Sequence, residues 1–285
     1  MEQDLDAMTG VGNYEGSRLS LNTVSLNGNA DIEERDGEYI TLGGYFRKRL
    51  TAEQKKGEKP EEVKLGNSIK VIMLKIRRAL QERDGERLAR WTSEHDGVDD
   101  IVELRSAYDK EVEVGSARRL REKYGNLRTV QNVYGLLLDG TKEPESVKIQ
   151  IKGAALGSEA KADDVPTFYQ YVSSFGKNAD GEKEHLRQFA TVLSAVKEKG
   201  KTGKAYFTIN FTRGEQLAAD MQAVADAALR DIHGKIVAQD QARSARIKAM
   251  KATPEVVAEG NAEPEADEAA SDYPAEDINP DDIPF

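Results

Sequence analysis

Alternation of apolar and polar residues, repeated in separate segments along the chain, is the feature that most constrains how this sequence can fold. In Val147–Lys152, three β-branched apolar residues alternate with Lys148, Gln150 and Lys152. A period of two matches a β-strand, which directs successive side chains to opposite faces of a sheet. The same period recurs in segments 19–26, 39–49, 68–79, 87–92, 129–138 and 205–211. The sequence therefore predicts a mainly β protein with many strands.

Two stretches interrupt the strand pattern with helical spacing. Asp164-Val165-Pro166 opens a short helix, and its aromatic residues are spaced for burial in the core. Thr212-Arg213-Gly214-Glu215 has the form of a capping box, and an apolar stripe follows it to about Met250. A stripe of this length usually packs on its own domain, and a dimer contact is the alternative interpretation.

Short strands joined by charged turns suit a closed or partly open β-barrel with added helices. The OB-fold is the natural candidate, because its sheet holds single-stranded nucleic acid on cations and aromatic rings. Segment 51–66 is highly charged and contains Gly57 and Pro60, so it is predicted to be an exposed insertion. The expected organisation is a flexible N-terminus (1–17), an OB-like DNA-binding domain (18–212), a C-terminal helical segment (213–251) and a disordered acidic tail (252–285).

The charge of the chain is concentrated at its C-terminus. Residues 252–285 contain eleven Asp and Glu and no Lys or Arg, which leaves 40 acidic against 41 basic residues in the rest of the chain. A nearly neutral body with basic clusters, joined to an acidic tail, favours a nucleic-acid binder whose tail competes for its own groove.

The tail ends in Asp281-Asp282-Ile283-Pro284-Phe285. A terminal aromatic residue beside its own carboxylate suits capture by a basic pocket with an apolar floor, while the aspartates steer the approach. Five residues at a chain end can also be part of a tail that only keeps the protein soluble. The interpretation as a binding tip therefore depends on the rest of the chain.

These five residues and the acidic run before them closely resemble the C-terminal tip of bacterial single-stranded DNA-binding proteins. The resemblance implies a protein that coats single strands in replication, recombination and repair, and that recruits replication and repair proteins through the tip. Residues 1–251 do not resemble the DNA-binding domain of that family, which points to a divergent version carried by a phage or mobile element. Only the tip residues are therefore assigned from the resemblance, and a homo-oligomer is possible but not implied.

Strand faces that mix aromatic rings with cations are the predicted contacts for single-stranded DNA. The second strand, 39–49, has such a face, and segment 116–128 is the densest basic stretch of the chain. A solvated helix face is the alternative for that stretch. The predicted DNA contacts are Tyr39, Tyr45, Arg47, Arg49, Lys75, Arg77, Arg78, Trp91, Arg118, Arg119, Arg121, Lys148, Lys152, Lys204 and Tyr206.

Catalytic and metal-binding chemistry is not predicted. The chain has no cysteine, its three histidines are far apart, and the P-loop pattern before Lys201-Thr202 fails because position 195 is Ala195. No cofactor or membrane segment is expected, and the interpretation is a cytoplasmic, nucleoid-associated protein. The alternative function is a recombination or strand-annealing accessory protein, or an adaptor that uses the tip to engage host replication proteins.

Overall fold

The computed structural model of the chain describes residues 19–35, 38–52, 60–85, 87–109, 112–138, 143–157, 165–176, 184–200 and 202–252. The predicted flexible N-terminus and, beyond Ala252, the acidic tail with its tip Asp281–Phe285 lie outside these residues. The strands are β1 (Asn22–Asn27), β2 (Ile32–Arg35), β3 (Glu38–Thr41), β4 (Tyr45–Arg49), β5 (Glu62–Gly66), β6 (Ser68–Asp84), β7 (Arg87–Thr92), β8 (Ile101–Ser106), β9 (Val112–Ser116), β10 (Arg128–Leu138), β11 (Glu145–Lys152), β12 (Phe189–Lys199) and β13 (Ala205–Gln216). The α-helices are α1 (Ala117–Lys123), α2 (Phe168–Ser173) and α3 (Ala219–Ala252), and two 3-10 helices span Gly153–Leu156 and Leu186–Gln188.

The prediction of a mainly β protein with added helices, including one at the C-terminal end, is confirmed. The main sheet has the order β5-β4-β1-β11-β10-β6-β7-β8-β9, and β2 and β3 form a small sheet of their own. All neighbours are antiparallel except β1 and β11. Because β6 is 17 residues long, one of its edges pairs first with β12 and then with β7, and β12 in turn pairs with β13.

The sheet is not closed into a barrel, so the prediction of a closed barrel is not confirmed. The strand order ends at β5 and β9, which do not pair with each other, and β13 cannot pair along β1 because both edges of β1 are occupied, one by β4 and the other by β11. Near β1, β13 therefore pairs only with the residues that follow the end of that strand. There, Asn29 and Tyr206 form an isolated bridge, and the Phe207 amide donates to the Gly28 carbonyl oxygen at 3.0 Å.

One face of the sheet holds the largest core cluster. Val147, Ile149 and Ile151 are all fully buried there, as their alternation with polar residues predicts. The helix α2 packs on this face, and its Tyr171 ring stacks on Phe211 of β13 with ring centroids 5.6 Å apart. The helix begins with a capping box between Thr167 and Gln170. Its aromatic residues belong to the core, as predicted.

The long helix α3 covers the opposite face of β6 and β10. Ile232 and Ile236 pack against Ile72 and Leu136 in a second core cluster, so the apolar stripe is buried within its own chain. The helix begins at Ala219, so the predicted start at a capping box near 212 is wrong. The reason is that β13 continues to Gln216 in antiparallel register with β12. Among the described helices, none combines the length and the apolar character needed to cross a membrane.

The predicted second strand, 39–49, is not one strand but two. β3 belongs to the small sheet and β4 to the main sheet, with a bend at Gly43 and Gly44 between them. Gly44 has φ of 80°, and a Cβ there would lie 2.7 Å from the Phe207 ring. A Cβ at Gly43 would lie 2.1 Å from the Asn29 carbonyl oxygen. Only glycine fits this close approach of the backbone to β13 and to the end of β1.

Candidate nucleic-acid interface

The face of β4, β1 and β11 that points away from the main core is polar and cationic. Across these three strands, Arg49 is opposite Thr23, which is opposite Lys148. Lys152 lies on the same face of β11 as Lys148, because the two are four residues apart in a strand. These cations thus lie on the face opposite Val147, Ile149 and Ile151, where Thr23 is buried between its neighbours and the Lys148 ammonium lies 3.8 Å from the Glu94 carboxylate.

A cleft opens at one end of this face. The strands β1 and β11 are parallel and paired only as far as Ser25 and Gln150, and beyond that pair they diverge. The tip of the β12–β13 hairpin, near Lys204, lies against the opening. The cleft has a volume of about 960 Å³. The ends of β1, β6, β10 and β11, together with the tip of the β12–β13 hairpin, therefore build a single concave site.

The cleft is positively charged. Four of the described residues that line it are cations and none is acidic. The four cations are Arg83, Arg128, Lys152 and Lys204. Gln81, Asn126 and Gln150 add neutral polar groups, and these can donate or accept hydrogen bonds. Such a lining attracts an anion, although the carboxylate of Asp31, which follows the lining residue Ala30, lies 3.8 Å from the Lys204 ammonium and offsets part of its charge.

The environment of Lys152 combines partial desolvation with nearby positive charge. The pKa of its ammonium is lowered from 10.5 to about 8, first by desolvation and then by the nearby charges of Arg83, Arg47 and Arg49. A cation that is surrounded by other cations binds a phosphate favourably, because the phosphate removes the repulsion among them. The cleft and the adjoining end of β4 therefore form one electrostatic unit.

The cleft also has an aromatic and apolar wall. Tyr206 and Phe207 of β13 line it, together with Leu26 at the end of β1. Phe207 is fixed in place by its contact with Gly44 and by its backbone hydrogen bond to Gly28. Aromatic side chains beside cations are the combination that holds stacked bases and the phosphates between them.

The cations of β4 are partly neutralised by β5. Arg47 and Arg49 both bind Glu62, at 3.2 and 2.7 Å. The ammonium of Lys64, on the same strand as Glu62, lies 4.4 Å from the centre of the Tyr45 ring. Segment 62–66 is thus a paired strand at the edge of the sheet and not an insertion, although Glu62, Val63 and Lys64 are exposed as predicted. Glu62 of β5 thus lowers the net positive charge of the face next to the cleft.

Of the three predicted contacts on β6, Lys75 and Arg77 have side chains that form ion pairs within the protein. Arg77 is only 3% exposed and lies under α3, where it forms ion pairs with Asp96 and Asp240 at 3.1 and 3.0 Å. The Lys75 ammonium nitrogen lies 3.7 Å from a carboxylate oxygen of Asp96. The backbone amide of Arg78 donates to the His95 carbonyl oxygen, and the His95 amide donates to the Arg78 carbonyl oxygen. The assignment of Arg77 to the DNA surface is therefore corrected, because a buried and doubly paired guanidinium cannot reach a phosphate.

The remaining predicted contacts lie elsewhere on the molecule. Tyr39 is 78% exposed on β3, in the small sheet, and Trp91 lies on β7 between Gln81 and Arg105. The exposed cations of α1 do not line the cleft; these are Arg118, Arg119 and Arg121. Of the predicted contacts, the structure brings together Lys152, Lys204 and Tyr206 in the cleft, with Tyr45, Arg47, Arg49 and Lys148 on the adjoining face.

Two cations of the cleft were not among the predicted contacts. Arg83 lies near the end of β6, where the sequence suggests only a turn, and Arg128 is the first residue of β10. Arg128 is opposite Gln81 in the β6–β10 register, which brings it close to the end of β6. The period-two pattern predicts the sheet face on which a side chain lies. It does not predict which distant strands are paired, and this pairing brings Arg83 and Arg128 together.

The chain matched no protein-family model, no curated protein sequence and no solved structure. A function can therefore be proposed only from the geometry of the cleft and from the sequence of the tail.

Proposed function

We propose that this protein binds single-stranded DNA in the cleft and along the adjoining face of β4, β1 and β11. The observation that carries the proposal is the lining of the cleft, in which four cations lie beside aromatic residues and none of the described lining residues is acidic. Phosphates would contact the cations and bases would stack on Tyr206 or Phe207. Such contacts are independent of base sequence, as coating of an exposed strand requires.

Single strands fit the cleft better than duplex DNA. A volume of about 960 Å³ is at the upper end of the ~300–1,000 Å³ range of small-molecule pockets. It would accommodate a few unpaired nucleotides, whereas paired and stacked bases could not reach the aromatic wall. The sheet would serve the strand as an OB-fold does, with cations along the backbone and rings under the bases.

The acidic tail supplies the second part of the proposal. Phe285 and the carboxylates of Asp281 and Asp282 would bind replication and repair proteins through a basic pocket with an apolar floor. This part depends on the sequence of the tail and on its resemblance to the tip of bacterial single-stranded DNA-binding proteins. Together, the two parts describe a protein that covers single strands and brings processing enzymes to them.

Titration of the full-length protein with labelled single-stranded and duplex oligonucleotides of equal length tests the proposal. We expect tighter binding of the single strand. A plot of log K against the logarithm of the salt concentration should fall with a slope of about 0.7 for each phosphate contact. The double variant Arg128→Glu and Lys204→Glu should weaken binding strongly. The matched control, Arg119→Glu and Arg121→Glu on α1, makes the same charge change outside the cleft and should have a much smaller effect.

Equal losses in the two double variants would contradict the assignment of the cleft, because they would show only a nonspecific effect of net charge. Preference for the duplex would contradict single-strand binding. A protein that binds no DNA but still captures replication proteins through Phe285 would be the adaptor of the alternative interpretation.

A further inference from the structure

One row of side chains leads from the cleft across the neighbouring strands β6, β7 and β8. Arg128 of β10 is opposite Gln81 of β6, and both residues line the cleft. Gln81 is in turn opposite Trp91 of β7, which is opposite Arg105 of β8. Residues directly opposite each other in paired strands share one face of a sheet. We call these four residues the Trp91 row; it begins in the cleft and ends on β8.

The Trp91 row lies on the same sheet face as the cations of β11. Lys152 is opposite Val130, which is two residues after Arg128 in β10, so Lys152 and Arg128 point to one face. On the other face, Leu80 and Leu104 are buried in a core cluster of their own. A single strand could therefore pass from the cleft to the end of the row without crossing to the other side of the sheet.

The far half of the row is accessible to a ligand. Trp91 is partly exposed, and the side chain of Arg105 is 47% exposed. Three steps between neighbouring strands, at about 4.8 Å each, separate the backbones of Arg128 and Arg105 by roughly 14 Å. A stacked single strand covers this span with about four nucleotides, at the ~3.4 Å spacing of stacked bases. The row is thus long enough to hold nucleotides in addition to those in the cleft.

The far end of the row has an excess of positive charge. Glu103 lies on the same face as Arg105, and its carboxylate binds the Arg105 guanidinium at 3.1 Å. The same carboxylate, only 2% exposed, also binds Arg246 of α3 at 3.1 Å. Two guanidinium groups therefore share one buried carboxylate, and the exposed one, Arg105, can pair with a phosphate.

The other nearby acidic residues lie on the opposite face or beyond the row. Glu82 directs its side chain to the opposite face, where it pairs with Arg90 at 2.6 Å. Asp84, at the end of β6, is directly opposite Arg87. Asp109 follows β8 and is close enough to Arg90 to act on its charge. These carboxylates border the row without entering it.

We propose that a single strand that fills the cleft continues along the Trp91 row, where a base stacks on Trp91 and a phosphate pairs with Arg105. The inference rests on the proposed function, because it extends the same strand to a second subsite. An aromatic ring between two cations is the arrangement that holds a base and its flanking phosphates. The preferred ligand is therefore a continuous single strand that is longer than the cleft.

The intrinsic fluorescence of the full-length protein tests this path directly, because Trp91 is the only tryptophan in the chain. Oligothymidylates of about 4 to 16 nucleotides, the range of one OB-fold site, are titrated while a label on the DNA reports binding. We expect the shortest strands to bind in the cleft without quenching Trp91. Longer strands should bind about fivefold more tightly or better and should quench Trp91, because a stacked base quenches indole emission.

Two single variants and one control identify the contacts. Trp91→Leu and Arg105→Gln should each reduce the ratio of long-strand to short-strand affinity. Arg105→Gln leaves Glu103 paired with Arg246, so the fold should be kept, and this variant retains Trp91 as the fluorescent reporter. The control, Arg230→Gln, removes the same charge at an exposed position on α3 and should keep the ratio. Urea denaturation of each variant measures whether its stability matches that of the wild type.

The outcomes separate this inference from the proposed function. A long strand that binds without changing the fluorescence of Trp91 would overturn the inference and leave binding in the cleft in place. So would a ratio of long-strand to short-strand affinity that Arg105→Gln lowers no more than Arg230→Gln does. If single strands of no length bind, the proposed function fails, and the inference fails with it.

Discussion

The affinity for single-stranded DNA should fall as the pH rises from 7 to 9, and Lys152 should cause this fall. In the free protein, its pKa is lowered to about 8 by desolvation and by the charges of Arg83, Arg47 and Arg49. A bound phosphate would offset this repulsion and return the pKa towards 10.5. Above pH 8 the protein must therefore take up a proton to bind DNA, which makes binding weaker.

The size of the effect follows from the two pKa values. With a pKa of about 8, Lys152 is about nine-tenths protonated at pH 7 and about one-tenth at pH 9. If the bound state has a pKa near 10.5, the affinity drops about tenfold over this interval. Because Lys152 remains exposed to solvent, screening reduces this figure, and we expect a fall of roughly three- to tenfold.

Fluorescence titration of an oligonucleotide at constant ionic strength from pH 7 to pH 9 measures this fall. Lys152→Arg should remove it while keeping the affinity at pH 7, since the guanidinium stays charged throughout. Lys148→Arg, on the same strand and face, should leave the fall unchanged. An affinity that is independent of pH in the wild type, or a fall that persists in Lys152→Arg, would refute this account of the cleft.

Three further predictions address the stacking residue, the buried arginine and the tail. Tyr206→Ala should weaken binding of a short single strand by about 1–3 kcal/mol, while Tyr39→Ala should leave it unchanged in the same titration. Arg77→Ala should lower the free energy of unfolding by roughly 1.5–3 kcal/mol in urea denaturation, because it removes the buried guanidinium that pairs with Asp96 and Asp240; a change below about 1 kcal/mol would show that these ion pairs are not formed in solution. Deletion of residues 254–285 should tighten single-strand binding, most at low salt, because the tail no longer competes for the cleft. Deletion of Phe285 alone should abolish capture of replication proteins without changing DNA affinity, and weaker DNA binding after tail deletion would contradict this role.

The strands and their faces could be predicted from the sequence because these properties are local. The alternation in Val147–Lys152 depends only on successive residues, and the structure buries Val147, Ile149 and Ile151 as that pattern requires. The helical stripe that ends near Met250 was also found, although its start was placed too early. In Thr212–Gln216, pairing with β12 outweighs a local capping pattern, and no local pattern reports that pairing.

The cleft could be predicted only in part because its residues meet through distant pairings. Lys152, Lys204 and Tyr206 were identified from their local alternation, whereas Arg83 and Arg128 come together through the β6–β10 register. Arg77 has the same local pattern as an exposed cation, and only the position of α3 shows that it is buried. The split between β3 and β4 likewise depends on contacts of Gly43 and Gly44 with residues far away in the sequence.

Photo-crosslinking of a single strand that carries halogenated pyrimidines, followed by mass spectrometry of the crosslinked peptides, tests the central claim most directly. Excited halogenated bases react with aromatic side chains that stack on them, so the crosslinked residue identifies the surface that holds the bases. We predict crosslinks in β13 at Tyr206 or Phe207, which an excess of unlabelled single strand removes and an excess of duplex does not. Crosslinks confined to β7, to β3 or to the helix α1, or no crosslink at saturating protein, would contradict the claim that single-stranded DNA binds in the cleft.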